Sequence, residues 1–153
     1  MSFTISAIGH VVGGRIPAED DAWDAVSAQI DLDGSRFGPD ALHGLVQFSH
    51  AEIIYLFDQL PESQITTTAR RPRGNPDWPL TGIFAQRGRN RPNRLAVSVC
   101  RIVRVEGTSL HVTGLDAIDG TPVIDIKPVL TGFLPRGAVR EPSWAREIMA
   151  DYW

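Results

Sequence analysis

Arginine is concentrated in one stretch of the chain. Residues 70–94 contain seven arginines and a single acidic residue, Asp77, whereas the whole sequence has only one lysine, Lys127. The planar guanidinium group binds phosphates and carboxylates through paired hydrogen bonds, so this stretch predicts contact with an anionic partner. The alternative is a solvated basic face that balances the ten acidic side chains of residues 1–62, within one chain or in a dimer.

Three side chains are candidates for taking up a proton. His50 precedes an apolar run, Asp119 begins an Asp-Gly-Thr-Pro turn, and Asp125 follows on the next predicted strand. A general base must reach the proton that it takes, and the sequence does not choose among the three. The alternatives are structural: His50 as a hydrogen-bonded residue at a strand start, and Asp125 as the partner of Lys127 on one strand face.

Two tryptophans lie beside the charged segments. The Trp23 ring is suited to stack on a flat ligand ring, or alternatively to close the core as a lid. Trp78 lies within the arginine-rich stretch, where an aromatic ring can serve as a platform for an unstacked RNA base. The alternative for Trp78 is packing that supports a long loop.

Strands are predicted to position these groups. In residues 25–32 the apolar side chains Val26, Ala28, Ile30 and Leu32 alternate with polar ones, which is typical of a half-buried strand. Further strands are predicted at residues 4–12, 51–57, 82–86, 95–105, 110–115 and 122–126.

Turn signals separate these strands, and the predicted helices are short. Glu106-Gly107-Thr108 joins two strands into a hairpin, and residues 61–79 form a proline-rich excursion. Residues 39–44 predict one helical turn and residues 143–152 a C-terminal helix. Short strands at regular spacing predict a mainly β protein, an antiparallel barrel or sandwich, in a single domain over residues 1–153. The absence of a glycine fingerprint after the first strand argues against a doubly wound nucleotide-binding fold.

Composition limits the class of protein. Hydrophobic residues make up 42% and charged residues 22% of the chain, with a net charge of −3, as in ordinary globular domains. No apolar run is long enough to span a bilayer, and the first residues lack the pattern of a signal peptide. The single cysteine, Cys100, predicts a buried thiol in a reducing cytoplasm. No Cys/His cluster has zinc-site spacing, so no metal is expected.

Several segments occur in the order found in a known family, and the sequence resembles the TrmO/TsaA-like family over roughly residues 3–130. The segments are Phe48-Ser49-His50, then Gly82-Ile83-Phe84-Ala85 ending in Arg87, then Arg91-Pro92-Asn93, and finally Asp119-Gly120-Thr121-Pro122 running to Ile126-Lys127-Pro128. The resemblance implies a β-barrel, usually a homodimer, that binds S-adenosylmethionine at its loops. Characterised bacterial members methylate threonylcarbamoyladenosine in the tRNA anticodon loop, so a cytoplasmic methyltransferase acting on tRNA is expected.

The resemblance also implies particular contacts. Expected cofactor contacts are Asp21, Trp23, Asp58, Gln59, Arg87, Val97, Asp119, Gly120, Thr121 and Pro122. The basic and polar side chains expected to touch RNA are Arg70, Arg71, Arg73, Arg89, Arg91, Asn93, Arg94 and Lys127. Among these groups, the Arg87 guanidinium is suited to face the cofactor carboxylate.

This chain departs from the family pattern in three places. Asp58 stands where typical members have a histidine, and residues 20–23 replace a proline-arginine-glutamine segment. Arg94-Leu95-Ala96 replaces a proline-isoleucine-glycine segment. These departures suggest a divergent branch in which cofactor binding persists while the substrate differs.

Two other functions fit the same residues. One is a non-catalytic module that binds S-adenosylmethionine or a partner protein. The other is a methyltransferase acting on another RNA or on a small molecule. The tail, residues 131–153, lies outside the resemblance, and its aromatic residues Trp144, Tyr152 and Trp153 are expected to dock on the barrel or across a dimer interface.

Overall fold

The computed structural model describes all 153 residues, and eight β-strands dominate it. The strands are β1 (Gly9–Val12), β2 (Ser27–Leu32), β3 (His50–Leu56), β4 (Ala69–Arg70), β5 (Thr81–Gly82), β6 (Leu95–Glu106), β7 (Ser109–Thr113) and β8 (Pro122–Pro128). One α-helix, α1, covers Ser143–Ile148. Short 3-10 turns connect the strands at Pro39–Leu42, Leu45–Gln47, Glu62–Gln64, Pro72–Gly74, Ile83–Ala85 and Thr131–Phe133.

Six of the strands close into an antiparallel barrel in the order β1-β2-β7-β6-β3-β8. The predicted β-barrel is therefore confirmed. β4 and β5 form a separate two-stranded sheet within the connection between β3 and β6. No helix of the structure combines the length and the apolarity that crossing a membrane requires.

The register assigns each loop to one end of the barrel. Leu56 pairs with Leu95, Ser27 with Thr113, and His10 with Pro122, so β1, β3 and β7 finish at the end where β2, β6 and β8 begin. We call this the upper end. It carries three connections, residues 13–26, 57–94 and 114–121, and the opposite, lower end carries residues 33–49 and the β6–β7 turn.

The core follows from the alternation of the strands. In β2 the side chains of Ala28, Ile30 and Leu32 are buried, as the period of two predicts. Inward-facing residues of the other barrel strands join them, among them Val11, Ile53, Tyr55, Cys100, Leu110, Val112 and Val123. Burial raises the pKa of the Cys100 thiol, which keeps it in the unreactive protonated form.

Three predicted elements differ in the structure. The strand predicted at residues 82–86 is wrong, because only Gly82 pairs in β5 and a 3-10 turn follows at Ile83–Ala85. The buried Gln86 fixes that turn by donating its side-chain amide to the carbonyls of Arg70, at 2.9 Å, and Thr81, at 2.6 Å. The first strand is shorter than predicted, and so is the C-terminal helix.

Candidate functional site

The Asp-Gly-Thr-Pro turn is tied to the end of β1. Gly120 has φ of 81°, a conformation that favours glycine, and its N–H donates to the carbonyl of Val11 at 2.8 Å. The Val11 N–H returns a 2.9 Å bond to the carbonyl of the buried Thr121. Asp119 Oδ1 accepts a 2.8 Å bond from the Gly13 N–H, and its other oxygen makes no hydrogen bond or ion pair. The turn is therefore rigid and still leaves a carboxylate oxygen open.

The β1–β2 connection folds around Arg15. Its guanidinium lies over the Trp23 ring, 4.4 Å from the centroid, and donates to the carbonyls of Asp21, at 2.6 Å, and of Ala22. The Trp23 side chain is buried and its ring nitrogen donates to the Glu19 carbonyl at 3.2 Å. The structure thus places Trp23 as a lid on the core, stacked on Arg15, and offers no open ring face for an adenine.

Asp21 is engaged with the arginine-rich segment. Arg73 holds both oxygens of the Asp21 carboxylate at 2.7 and 3.1 Å, and the hydrogen bond to Asp21 is the main cause that raises the pKa of Arg73. Asp21, which was predicted to contact the cofactor, and Arg73, which was predicted to contact RNA, are therefore paired with each other. The Asp21 side chain remains 40% exposed, so the pair is open to solvent and contributes about 0–1 kcal/mol to stability.

The β3–β6 connection brings the remaining cofactor candidates to the same end. Asp58 and Gln59 lie one residue beyond the end of β3, after Phe57, and are exposed. Arg87 donates to the Val97 carbonyl at 2.6 Å, which anchors the Arg87 loop on β6. The Val97 side chain is 38% exposed on the outer wall, where Val97 pairs with Ile54 of β3. The candidates consequently span the upper end and the adjoining wall of β3 and β6.

Most of the predicted RNA contacts bond to the protein itself. Arg91 and Arg94 donate to the carbonyls of Gln86 and Leu60, each at 3.0 Å. Arg71 donates to the Trp78 carbonyl. Trp78 itself donates its ring N–H to Glu147 of α1 at 2.7 Å. These contacts shape the segment and leave few of its side chains free.

Other predicted RNA contacts are placed differently. Arg89 and Asn93 are exposed and their side chains make no hydrogen bond, whereas Arg70 is half-buried. Lys127 lies on β8, far from the arginine-rich segment in the chain, and pairs with Asp125 as predicted. That carboxylate raises the pKa of Lys127. Arg89 and Asn93 are therefore the side chains best placed to bind a ligand.

The three candidate bases lie in different places. His50 starts β3 at the lower end and its Nδ1 lies 2.7 Å from the Ser49 hydroxyl, away from every candidate cofactor contact. Asp125 pairs with Lys127 on the outer wall, and only Asp119 lies among the upper-end loops. The structure thus brings Asp119, but not His50, together with the predicted cofactor contacts.

The sequence analysis missed a cluster of hydrogen bonds around the carboxylate of Asp116 at the upper end, which we call the Asp116 hub. Asp116 Oδ1 accepts hydrogen bonds from the Tyr55 hydroxyl, at 2.8 Å, and from the Ser98 hydroxyl, and its Oδ2 accepts one from Tyr152. The donors come from β3, β6 and the C-terminal tail, so chain spacing could not reveal the cluster. The only signal was the place of Asp116 in the Gly-Leu-Asp segment before the Asp-Gly-Thr-Pro turn.

Comparison with known proteins identifies the family of the chain. The family model for the tRNA-methyltransferase O N-terminal domain matches residues 12–133. A putative S-adenosylmethionine-dependent methyltransferase, RcsF, of Pseudomonas aeruginosa is 40% identical over 84% of this chain and 55% of its own length. The tRNA (adenine(37)-N6)-methyltransferase of Escherichia coli K12 is 40% identical over 60% of this chain and 40% of its own.

A solved structure shares the fold. The crystal structure of TrmO from Pseudomonas aeruginosa superposes with a TM-score of 0.73 at 29% sequence identity, over 92% of this chain and 61% of the other. The chain thus spans 55% of the length of RcsF and 61% of the length of the solved TrmO chain. Since the family model matches most of the sequence and the barrel is shared, the chain belongs to the tRNA-methyltransferase O N-terminal domain family.

Proposed function

We propose that the chain binds S-adenosylmethionine at the upper end of the barrel and transfers the methyl group to adenosine in tRNA, with threonylcarbamoyladenosine of the anticodon loop as the acceptor. One observation carries the proposal. In this member of the family, the predicted cofactor contacts of three separate connections all lie at the upper end of the barrel. The relatives named as tRNA methyltransferases support the tRNA substrate.

The groups at the upper end fit the chemistry of this cofactor. The ligand carries a carboxylate, an ammonium group, a ribose diol and an adenine. Arg87 has guanidinium N–H donors beyond the one used on Val97 and suits the carboxylate. The open oxygen of Asp119 suits the ammonium group or the diol, and no atom lies within 4 Å of the place of a Gly120 Cβ, which leaves that backbone approachable.

The protein's part in the reaction is to position the two reactants. The bound cofactor supplies an electrophilic methyl group, which an acceptor nitrogen attacks in line. Holding two reactants in line removes much of the barrier, and the rigid Asp119–Gly120 turn is suited to this. Asp119 is the only one of the three candidate bases at this end, and its open oxygen binds the cofactor in this proposal, so the acceptor nitrogen releases its proton to solvent water.

The RNA approaches from the side of residues 70–94. Arg89 and Asn93 project there without internal partners, and the bonded arginines add positive charge beneath them. Guanidinium planes bind phosphates and stack on unpaired bases, which suits an anticodon loop.

We further propose that the protein acts as a homodimer in the cytoplasm. The outer wall of β6 exposes three valines, Val97, Val99 and Val103, at 38%, 47% and 51%. Exposed apolar side chains on a barrel wall, here with Arg101 between Val99 and Val103, are suited to contact with a second copy. Sedimentation of the protein at several concentrations tests the dimer, and a monomer at all of them would contradict it.

Methyl transfer is the direct test of the function. Labelled S-adenosylmethionine is incubated with tRNA from cells that lack a tRNA methyltransferase O, and the digested nucleosides are separated by mass spectrometry. The proposal predicts one added methyl group on threonylcarbamoyladenosine with the wild type, and loss of this product with Arg87→Ala.

Other outcomes select the alternatives. Methylation of tRNA that lacks the threonylcarbamoyl group would show a different acceptor. Cofactor binding without methylation of any RNA fraction would favour a non-catalytic module. Arg36→Ala, in the lower-end connection, is the matched control and should keep full activity.

A further inference from the structure

The C-terminal segment, residues 143–153, lies across the upper end of the barrel. Glu147 accepts the ring N–H of Trp78 at 2.7 Å, which ties α1 to the arginine-rich segment. Further along, the carbonyls of Asp151 and Tyr152 each accept a backbone N–H, from Ala22 and Trp23, at 2.9 Å. The segment thus connects the β3–β6 connection, residues 57–94, with the β1–β2 connection.

Tyr152 fastens the far end of this segment. Its hydroxyl donates to Asp116 Oδ2, while the other Asp116 oxygen is held by the barrel residues Tyr55 and Ser98. Burial, followed by the nearby Asp116 charge, raises the pKa of Tyr152, so its hydroxyl remains a donor at neutral pH. Hydrogen bonds from a hydroxyl to a carboxylate are among the stronger ones in proteins. Asp116 is therefore a fixed point of the barrel to which the tail is attached.

The loop held by the tail needs external support. Ala22 has φ of 61°, in the left-handed region that non-glycine residues rarely adopt, and such residues persist only where surrounding contacts enforce them. Two sets of contacts do so. Arg15 binds the carbonyls on one side, and the tail carbonyls bind the N–H groups of Ala22 and Trp23 on the other.

We propose that Tyr152 and Asp116 are positioning residues for the cofactor: the Tyr152–Asp116 bond latches the tail across the upper end, and the tail holds residues 21–23 and, through them, Arg15. The Arg15 carbonyl accepts the Asp119 N–H at 2.8 Å, so the tail positions the Asp119 turn that binds S-adenosylmethionine in the proposed function. This inference rests on the proposed function, since it takes the Asp119 turn to be part of the cofactor site. It assigns a role in this site to a segment that lies beyond the family match, which ends at residue 133.

The variant Tyr152→Phe tests the latch, because it removes one hydroxyl and keeps the aromatic ring. Hydrogen exchange followed by NMR in the ligand-free protein is expected to speed up at the Ala22 and Trp23 amides and to stay unchanged at Ile30 in β2. Calorimetry is expected to show about tenfold weaker S-adenosylmethionine binding, equivalent to about 1.4 kcal/mol.

Two control variants separate positioning from stability. Glu141→Gln changes an exposed tail residue that makes no ion pair, and it should alter neither measurement. Tyr55→Phe removes an Asp116 partner that belongs to the barrel, so it should lower the thermal midpoint while the Ala22 and Trp23 amides stay protected.

Each negative result would overturn a different part of the proposal. Unchanged exchange at Ala22 and Trp23 in Tyr152→Phe would overturn the latch. Faster exchange with unchanged cofactor affinity would overturn the positioning role and leave the tail a purely structural element. A wild-type protein that binds no S-adenosylmethionine would overturn the proposed function and the positioning role together, and the exchange data would then decide the latch alone.

Discussion

At the scale of single residues, carboxylates organise the upper end. Asp119 joins the β7–β8 turn to Gly13, and Asp116 joins β3, β6 and the tail. Through the family resemblance, the motif order placed Asp119 among the expected cofactor contacts. It could not select Asp116, because its partners are distant in the chain and become neighbours only when the barrel closes.

Ionisation of the chain's two tyrosines, which both donate hydrogen bonds to Asp116, can be followed to test the Asp116 hub. Burial and, after it, the Asp116 charge raise the pKa of both Tyr55 and Tyr152 above the unfolded value of about 10. Both groups therefore contribute stability that is complete below about pH 10 and is lost as the pH rises further. A spectrophotometric titration should show phenolate appearing only well above pH 10, together with unfolding.

The variant Asp116→Asn provides the comparison for this titration. Removal of the negative charge should move tyrosine ionisation to lower pH. A wild-type protein in which either tyrosine ionises near pH 10 while still folded would contradict the hub.

At the scale of elements, local patterns predicted strands well where one face is buried. Alternation predicted β2, and the glycine turn predicted the β6–β7 hairpin. The same reasoning failed at residues 82–86, where an apolar run resembles a strand. There the contacts of Gln86 with Arg70 and Thr81, which no local pattern reveals, impose a 3-10 turn. Likewise, Arg71, Arg73 and Trp78 were predicted as ligand contacts, but neighbouring elements engage them.

Two glycine turns allow a matched test of the upper end. Gly120 and Gly107 have φ of 81° and 58°, and neither has an atom within 4 Å of an added Cβ. Alanine at either position should therefore cost about 1 kcal/mol of folding free energy through backbone strain alone. Urea unfolding should show similar losses for both, whereas only Gly120→Ala should weaken S-adenosylmethionine binding. Equal effects on binding would contradict the assignment of the site to the upper end.

At the scale of the whole molecule, barrel closure determines which loops meet. The sequence predicted the six barrel strands, but their order β1-β2-β7-β6-β3-β8 depends on pairings between distant segments. Closure separates His50, at the lower end, from the Asp119 turn, although both belong to segments shared with the family. It also places the arginine-rich segment beside the cofactor candidates.

This placement predicts how salt affects RNA binding. Each arginine that binds a phosphate releases counterions, so the affinity for tRNA should fall steeply as salt is added. Arg89→Ala should weaken binding and reduce the slope of log affinity against log salt by about one. Arg36→Ala, which changes an exposed arginine of the lower-end connection, residues 33–49, is the control and should change neither. Equal losses in both variants would indicate non-specific attraction.

Calorimetric titration with S-adenosylmethionine tests the central claim most directly. The wild type is compared with Asp119→Asn, which removes the charge at the proposed site, and with Asp33→Asn, which alters a similar aspartate that bonds Ser35 at the lower end. The account predicts that the wild type and Asp33→Asn bind equally and that Asp119→Asn binds at least about tenfold more weakly, since a hydrogen bond to a charged group contributes about 1.5–3 kcal/mol. Wild-type affinity in Asp119→Asn, or no binding by the wild type, would contradict a cofactor site at the upper end of the barrel.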